Sequence, residues 1–294
     1  MSPSLRIVAM VLALAGPPSA LEFLGRFDLR LLPEASGIVK SRRHPGIFWV
    51  HNDSGNSPSL FAVRRDGTIV RQFRLSVPNV DWEDIAIDDE GHLYLGDIGN
   101  NGGLLALRAI YKIDEPDPAR PASKPPPIRA ASFYRFPAGG RFDAEGLVYD
   151  PKADCAVLVA KRFDGREAEL YAVPFQPPAP WLRPAVPRQI GSLPRFVEPA
   201  TGASLSADLR LLAVCSYSVT RIYRRGREQD HPWELLAEVR YAPSGIEGVC
   251  WDGDDLILVS EGRGVDRISS ATWKRRVRKP LHAGPARSRV PAGF

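Results

Sequence analysis

Apolar residues along this chain recur with a period of two. Ile85 and Ile87, then Leu93 and Leu95, alternate with small or polar neighbours on either side of the turn DDEG (88–91). Strict alternation of this kind marks half-buried β-strands. Residues 79–101, NVDWEDIAIDDEGHLYLGDIGNN, therefore predict a hairpin, even though they hold seven acids. Beyond the N-terminus no window sustains the 3.6-residue apolar period of a helix.

The pattern repeats. Five segments place an acid or small polar residue before Gly or Asp and then an apolar run: EASGIV (34–39), DWEDIA (81–86), DAEGLV (143–148), PATGAS (199–204) and GIEGVC (245–250). Their fourth positions, Gly37, Asp84, Gly146, Gly202 and Gly248, are 47, 62, 56 and 46 residues apart. A second apolar strand follows each: IFWVHN, LYLGD, AVLVAK, LLAVCS and LILVSE. Third strands follow in four repeats as SLFAVRR, AIYKID, ELYAVP and TRIYRR, and fourth strands as TIVRQFRL, AASFYRF, RQIGSL and WELLAEV. Four antiparallel strands recurring at this interval predict an all-β chain folded as a β-propeller. The two longest repeats carry Pro-rich insertions (115–127 and 176–187) ahead of an outer strand, where missing N–H groups do least harm.

The last repeat lacks a fourth strand. LEFLGRFDL (21–29) resembles the outer strand TIVRQFRL, so the N-terminal strand is expected to complete the last blade and hide an edge. Five blades follow from the count, with a sixth, diverged blade in the second or third repeat as the alternative.

Composition agrees with many turns: the 294 residues include 28 Pro and 25 Gly, and 44% are hydrophobic, enough for a large core. Residues 1–20 read as a secretory signal: Arg6, an apolar core from Ile7 to Ala15, then Ser19 and Ala20. The core is too short to span a bilayer, and no other stretch predicts a transmembrane helix. An exported protein, periplasmic or extracellular, is the expectation, with the propeller over residues 21–273. Residues 274–294 form a basic tail with seven Lys or Arg and no acid, read as a solvated terminus. Removing those seven from the net charge of +5 leaves about −2, so the body is not a nucleic-acid-binding surface. Cys155, Cys215 and Cys250 lie in apolar strand patterns and are expected as buried free thiols, with a Cys215–Cys250 bridge as the alternative.

In an up-and-down blade the first strand starts where the second ends, so both places share one channel mouth. The first column is Ser36, Glu83, Glu145, Thr201 and Glu247, with Glu34, Asp81 and Asp143 two places upstream. The second is Asn52, Asp97, Lys161, Ser216 and Glu261, flanked by His51, Asp53 and Arg162. Crowded carboxylates and amides suit a hard cation such as Ca²⁺ or Mg²⁺. Crowding also raises carboxyl pKa values towards the range of general acid–base work. Lys161 and Arg162 are candidates to orient an anion. Against this stands a purely structural use, in which each acid accepts backbone N–H groups of a neighbouring blade and each Gly permits close packing. The chain has no G-x-S-x-G elbow, H-E-x-x-H or phosphate-binding G-x-x-x-x-G-K.

The stretches EASGIV and HPGIFWVHNDSGNSPSLFAVRRDGTIVRQFRL, then DWEDIAID and DAEGLVYD, resemble the SdiA-regulated and phytase-like (esterase-like) exported propellers. SEGRG (260–264) is similar to a late motif of the phytase-like group. The likeness covers most of residues 30–264 and is specific for the superfamily rather than for one activity. Bacterial propeller phytases use calcium and acidic residues at the channel mouth to hydrolyse phosphate esters, so the resemblance implies Ca²⁺ and hydrolase-type chemistry. No catalytic residue transfers one to one.

These observations lead to a set of expectations. Asp81, Glu83, Asp84 and Asp97 are the candidate metal ligands, with Asp84 distinctive because the other four repeats have Gly there. His51, Asn52, Asp53, Asp143, Glu247 and Glu261 are candidate ligand-binding residues. Glu145, Lys161 and Arg162 are the candidate catalytic residues if the protein is a metal-dependent ester hydrolase. A monomer that binds a small molecule and a divalent cation is the leading reading. Hydrolysis of a phosphoester or lactone, and a protein-interaction scaffold, are the alternatives.

Overall fold

The computed structural model describes residues 20–100, 102–120, 124–136, 143–175, 183–226 and 233–277. Nearly all of the expected signal segment and most of the basic tail lie outside them.

After an N-terminal strand β1 (Glu22–Arg26), the chain lays down four blades in order. The first is β2 (Ala35–Lys40), β3 (Phe48–Asn52), β4 (Ser59–Val63) and β5 (Ile69–Arg74). The second is β6 (Trp82–Ile87), β7 (His92–Asp97), β8 (Arg108–Asp114) and β9 (Ile128–Tyr134). The third is β10 (Ala144–Asp150), β11 (Cys155–Ala160), β12 (Glu169–Pro174) and β13 (Arg188–Ser192). The fourth is β14 (Gly202–Leu205), β15 (Leu211–Cys215), β16 (Val219–Arg225) and β17 (Trp233–Arg240). The fifth has β18 (Ile246–Asp252), β19 (Asp255–Ser260) and β20 (Gly264–Ile268), and β1 pairs antiparallel with β20 as its outer strand. Five four-stranded antiparallel sheets result, a five-bladed propeller closed as the sequence predicts.

Alternation explains the packing. Successive residues of a strand point to opposite faces, so each blade feeds two apolar layers. Ile85, Leu93 and Leu95 pack with Trp49 and Phe73 of the first blade, whereas Ala86 and Tyr94 pack with Leu147 and Leu158 of the third. Trp82 is fully buried between the first two blades, and its Nε1 donates to the Pro78 carbonyl at 2.9 Å. Five layers in all join neighbouring blades. Cys155, Cys215 and Cys250 are free, buried and in three different layers, which rules out the Cys215–Cys250 bridge.

The ring is tight at its axis. β2 packs on β6, β6 on β10, β10 on β14, β14 on β18, and β18 back on β2. A Cβ on Gly248 would lie 2.2 Å from the Ser36 carbonyl oxygen, and one on Gly37 would lie 2.8 Å from Asp84 Cα. Gly in this column is therefore a requirement of close backbone approach. Gly248→Ala is expected to cost about 1–3 kcal/mol in urea unfolding through overpacking. Gly102→Ala, whose Cβ would meet nothing closer than 3.8 Å, should stay within about 0.5 kcal/mol.

Candidate metal centre at the channel mouth

The acids of the first column are aimed by bulges. The pairing of β6 with β7 shifts between Trp82 and Asp84, that of β10 with β11 between Ala144 and Gly146, and that of β18 with β19 between Ile246 and Gly248. The residues left without a register partner are Glu83, Glu145 and Glu247. A bulge bends its strand and redirects the extra side chain, here into the mouth.

The column divides by chemistry. Ser36 donates its hydroxyl to the Glu83 carbonyl at 2.6 Å, and Thr201 donates to the Ile246 carbonyl at 2.8 Å. These two are inter-blade ties. Glu83 and Glu145 converge instead, and Glu247 lies near enough for the Glu145 charge to act on it. Carboxylate oxygens of Asp53, Asp81 and Glu83 lie within 4.8 Å of one another, as do those of Glu83, Asp143 and Glu145. Glu83 belongs to both groups. It is 4% exposed, and its Oε1 is buried with no hydrogen-bond partner.

Backbone contacts hold the ring of acids in place. The Asp81 carbonyl accepts the N–H groups of Ile98 and Gly99, and the Asp143 carbonyl accepts that of Lys161. Asp143 Oδ1 accepts the Asn100 N–H at 2.8 Å, joining two blades at the site. Gly99 approaches the acids so closely that a Cβ there would sit 2.1 Å from Glu83 Oε1 and 2.6 Å from Asp81 Oδ2.

Lys161 is the cation of the cluster. Its ammonium pairs with Glu145 and lies 5.6 Å from the ring centre of Tyr217 and 5.7 Å from that of Phe163, an exposed side chain. Burial works against its charge, but Glu145 outweighs burial and holds the lysine pKa above its ordinary value. Burial, then repulsion from Glu145, Asp53, Asp81 and Asp143, pushes the Glu83 carboxyl well up. Burial raises Glu145 to about 8 against the opposing pull of Lys161. Burial and the charges of Glu145 and Glu261 raise Glu247 to about 9. Asp53 and Glu261 are raised as well, first by burial, with Glu34 a contributor to both. Among the described residues, one ammonium thus faces a group of eight carboxyls that includes Glu34.

Other expected residues lie elsewhere or are already engaged. Asp84 Oδ2 accepts the N–H groups of Leu147 at 2.8 Å and Ala203 at 2.9 Å, and Oδ1 accepts that of Ile85 at 2.8 Å. The carboxylate standing in the Gly column is therefore a bracket between three blades, outside both groups of acids. Asp97 Oδ1 accepts the Asp81 N–H at 2.7 Å and is also outside them. His51 is sealed in the interior against Trp82, and burial lowers its pKa to about 4. Asn52 Oδ1 accepts the Glu34 N–H, and its Nδ2 donates to the Leu31 carbonyl, which fixes the loop before β2. Arg162 pairs with Asp164 at 2.5 Å and Glu169 at 2.7 Å, away from Lys161. The sequence reading missed Gly99, Asn100, Tyr217 and Phe163. For the first two, the run DIGNN directly after the β7 acid was the available signal.

Comparison of the sequence with family models and with curated proteins gives no match. Among solved structures, the chain is similar to hydrazine synthase of Kuenenia stuttgartiensis (TM-score 0.45, 14% identity, 81% of this chain and 72% of that one). It is similar to a chain of a nidogen/laminin complex (TM-score 0.42, 13% identity, 77% and 72%). A third is a gluconolactonase from Xanthomonas campestris (TM-score 0.47, 12% identity, 84% and 89%). Likeness at this level says nothing about ligand or chemistry. The class of protein is set by the strands themselves, a five-bladed β-propeller with an acidic mouth.

Neighbouring acids predict opposite mutational outcomes. Asp84→Ala leaves three buried N–H groups without acceptors, each costing about 1–3 kcal/mol, so urea unfolding should show a loss of at least ~3 kcal/mol. Glu83→Gln removes a crowded acid with an idle oxygen and should leave ion-free stability unchanged or raised. Stability should also depend on pH. The pKa values of Glu145 and Glu247 rise from 4.5 to about 8 and about 9 on folding. Their contribution is complete below 4.5 and is lost as pH climbs through those folded values. With a chelator present, Tm is expected to be lower at pH 9 than at pH 6.

Proposed function

We propose that this chain is an exported propeller whose channel mouth holds a divalent cation of the Ca²⁺ class and presents it, with Lys161, to a small oxygen-rich or anionic ligand. The observation that carries the reading is Glu83 Oε1, a buried oxygen with no partner at the junction of two acidic triads. A buried polar atom without a partner is costly. A hard cation bound by Asp81, Glu83, Asp143 and Glu145, with Asp53 closing the far side, removes that cost. All the donors are carboxylate oxygens, the set Ca²⁺ prefers. Lys161 then supplies a positive group for an anionic ligand. Export rests on the pattern of residues 1–20.

Ester hydrolysis is a second reading, favoured by one observation. Glu247, with its pKa raised to about 9, is an un-ionised carboxyl at neutral pH beside the acidic triads. Such a group can give a proton to a leaving alkoxide as water adds to a phosphoester or lactone, and reprotonation from solvent restores it.

Calorimetric titration of chelator-treated protein with CaCl₂ tests the first reading. Saturable binding is expected, tighter at pH 9 than at pH 6 because the ion must displace protons from the raised carboxyls. Glu83→Gln should weaken it by at least about tenfold, the scale of one lost charged ligand. Absence of binding to wild type at pH 9 refutes the reading. A panel of phosphoesters and lactones tests the second: turnover that needs Ca²⁺ and is lost in Glu247→Gln supports it, and calcium binding without turnover on any of them leaves a binding protein.

A further inference from the structure

Beside the acidic mouth, the rim of the second blade contains a cavity of about 200 Å³ lined by Pro78, Val80, Leu105, Leu107, Tyr111 and Phe133, together with Ala109, Arg108 and Asp97. Its volume is that of roughly six or seven water-sized groups. Val80 is 49% exposed and Leu107 40% exposed, so apolar side chains also form an open edge. Apolar residues grouped at an opening mark a ligand site more often than scattered ones do.

Asp97 is the acid in this lining. Its Oδ1 accepts the Asp81 N–H at 2.7 Å. Among the described residues, the groups that act on its charge are the N–H groups of Asp81 and Val80 and the Asp81 carboxylate, with no cation among them. Arg108 turns its guanidinium over the Phe136 ring, 5.3 Å from the ring centre. A buried carboxylate against apolar walls is matched by one ligand chemistry: an ammonium on an apolar body. The negative mouth next to it draws cations towards the same rim.

We propose that this cavity is a subsite for an organic cation, with its ammonium on Asp97 and its apolar body against Leu107, Tyr111 and Phe133. Asp97, first grouped with the metal ligands, is thereby the anchor of a separate site. The proposal does not depend on an ion in the mouth.

The test is calorimetry and NMR shift mapping with hexylammonium chloride, with hexanol and sodium hexanoate as controls, on the whole chain. Saturable hexylammonium binding is expected, with shifts centred on residues 105–111 and with hexanol and hexanoate at least about tenfold weaker. Asp97→Asn keeps an oxygen to accept the Asp81 N–H, so the fold is retained, and it should weaken hexylammonium by a similar factor. Leu107→Ser, at a half-exposed position, should weaken it several-fold while CaCl₂ binding is unchanged. The proposal is overturned if hexylammonium does not saturate, if hexanol binds equally well, if hexanoate binds more tightly (which would assign the cavity to Arg108), or if Asp97→Asn binds as wild type does. Competition between hexylammonium and CaCl₂ for one site also overturns it. Hexylammonium binding without calcium binding would sink the reading of the mouth and leave this one standing.

Discussion

The architecture depends on how closely five inner strands approach one axis. Four of them manage it by carrying Gly where the backbones meet, since a Cβ at Gly248 or Gly37 would fall on the next strand. The fifth carries Asp84. Its carboxylate sits within hydrogen-bond distance of N–H groups on β6, β10 and β14, and so ties three blades together at the axis. Burial pushes its pKa up while the three N–H donors pull it down. A small side chain with two acceptor oxygens fits this position, whereas a larger one would separate the strands.

One residue along the chain the logic reverses. Glu83 sits in the bulge that Asp84 terminates, and it faces like charges instead of N–H groups. Two adjacent acids thus have opposite roles: Asp84 is consumed in holding the ring, and Glu83 is held ready by it. The same division runs through the whole column. Ser36 and Thr201 spend their hydroxyls on carbonyls of the next blade, while Glu145 and Glu247 project into the mouth. Raised carboxyl pKa values on one side and the buried Lys161–Glu145 pair on the other are the electrostatic record of one ammonium among many acids. Charge held at such density in a rigid frame keeps the carboxyl pKa values raised, because the frame cannot relax to relieve it.

Much of this was legible from spacing. A period of two in the apolar residues gave strands, and recurrence of an acid or small polar residue before Gly or Asp at the strand start gave blades. The missing outer strand at the C-terminal end, matched by LEFLGRFDL at the other, gave the closure seen between β1 and β20. These features survive in sequence because they are local, or are repeats of something local. The prominence of Asp84 was legible too, but its role was not. An acid in a Gly column signals an exception without saying whether its oxygens meet an ion or the backbone. His51 and Asn52 misled for a related reason. They end a strand at the mouth, yet one turns into the interior and the other turns back to its own loop. Arg162 stands next to Lys161 in the chain, but its guanidinium is taken up by Asp164 and Glu169 in the segment that follows.

The sequence by itself determined the propeller, the way the ring closes and the column from which the acids come, since each follows from periodicity along one dimension; it favoured five blades over six, and the strand pairing settled that number. Tertiary structure decided which acids share a site. That choice rests on bulges that reverse the facing of single residues, and on distances between blades some sixty residues apart, such as Glu83 to Glu145. A bulge is a change of register by one residue, which a pattern of residue types does not encode, and it is what separates Asp84 in the axis from Glu83 in the mouth.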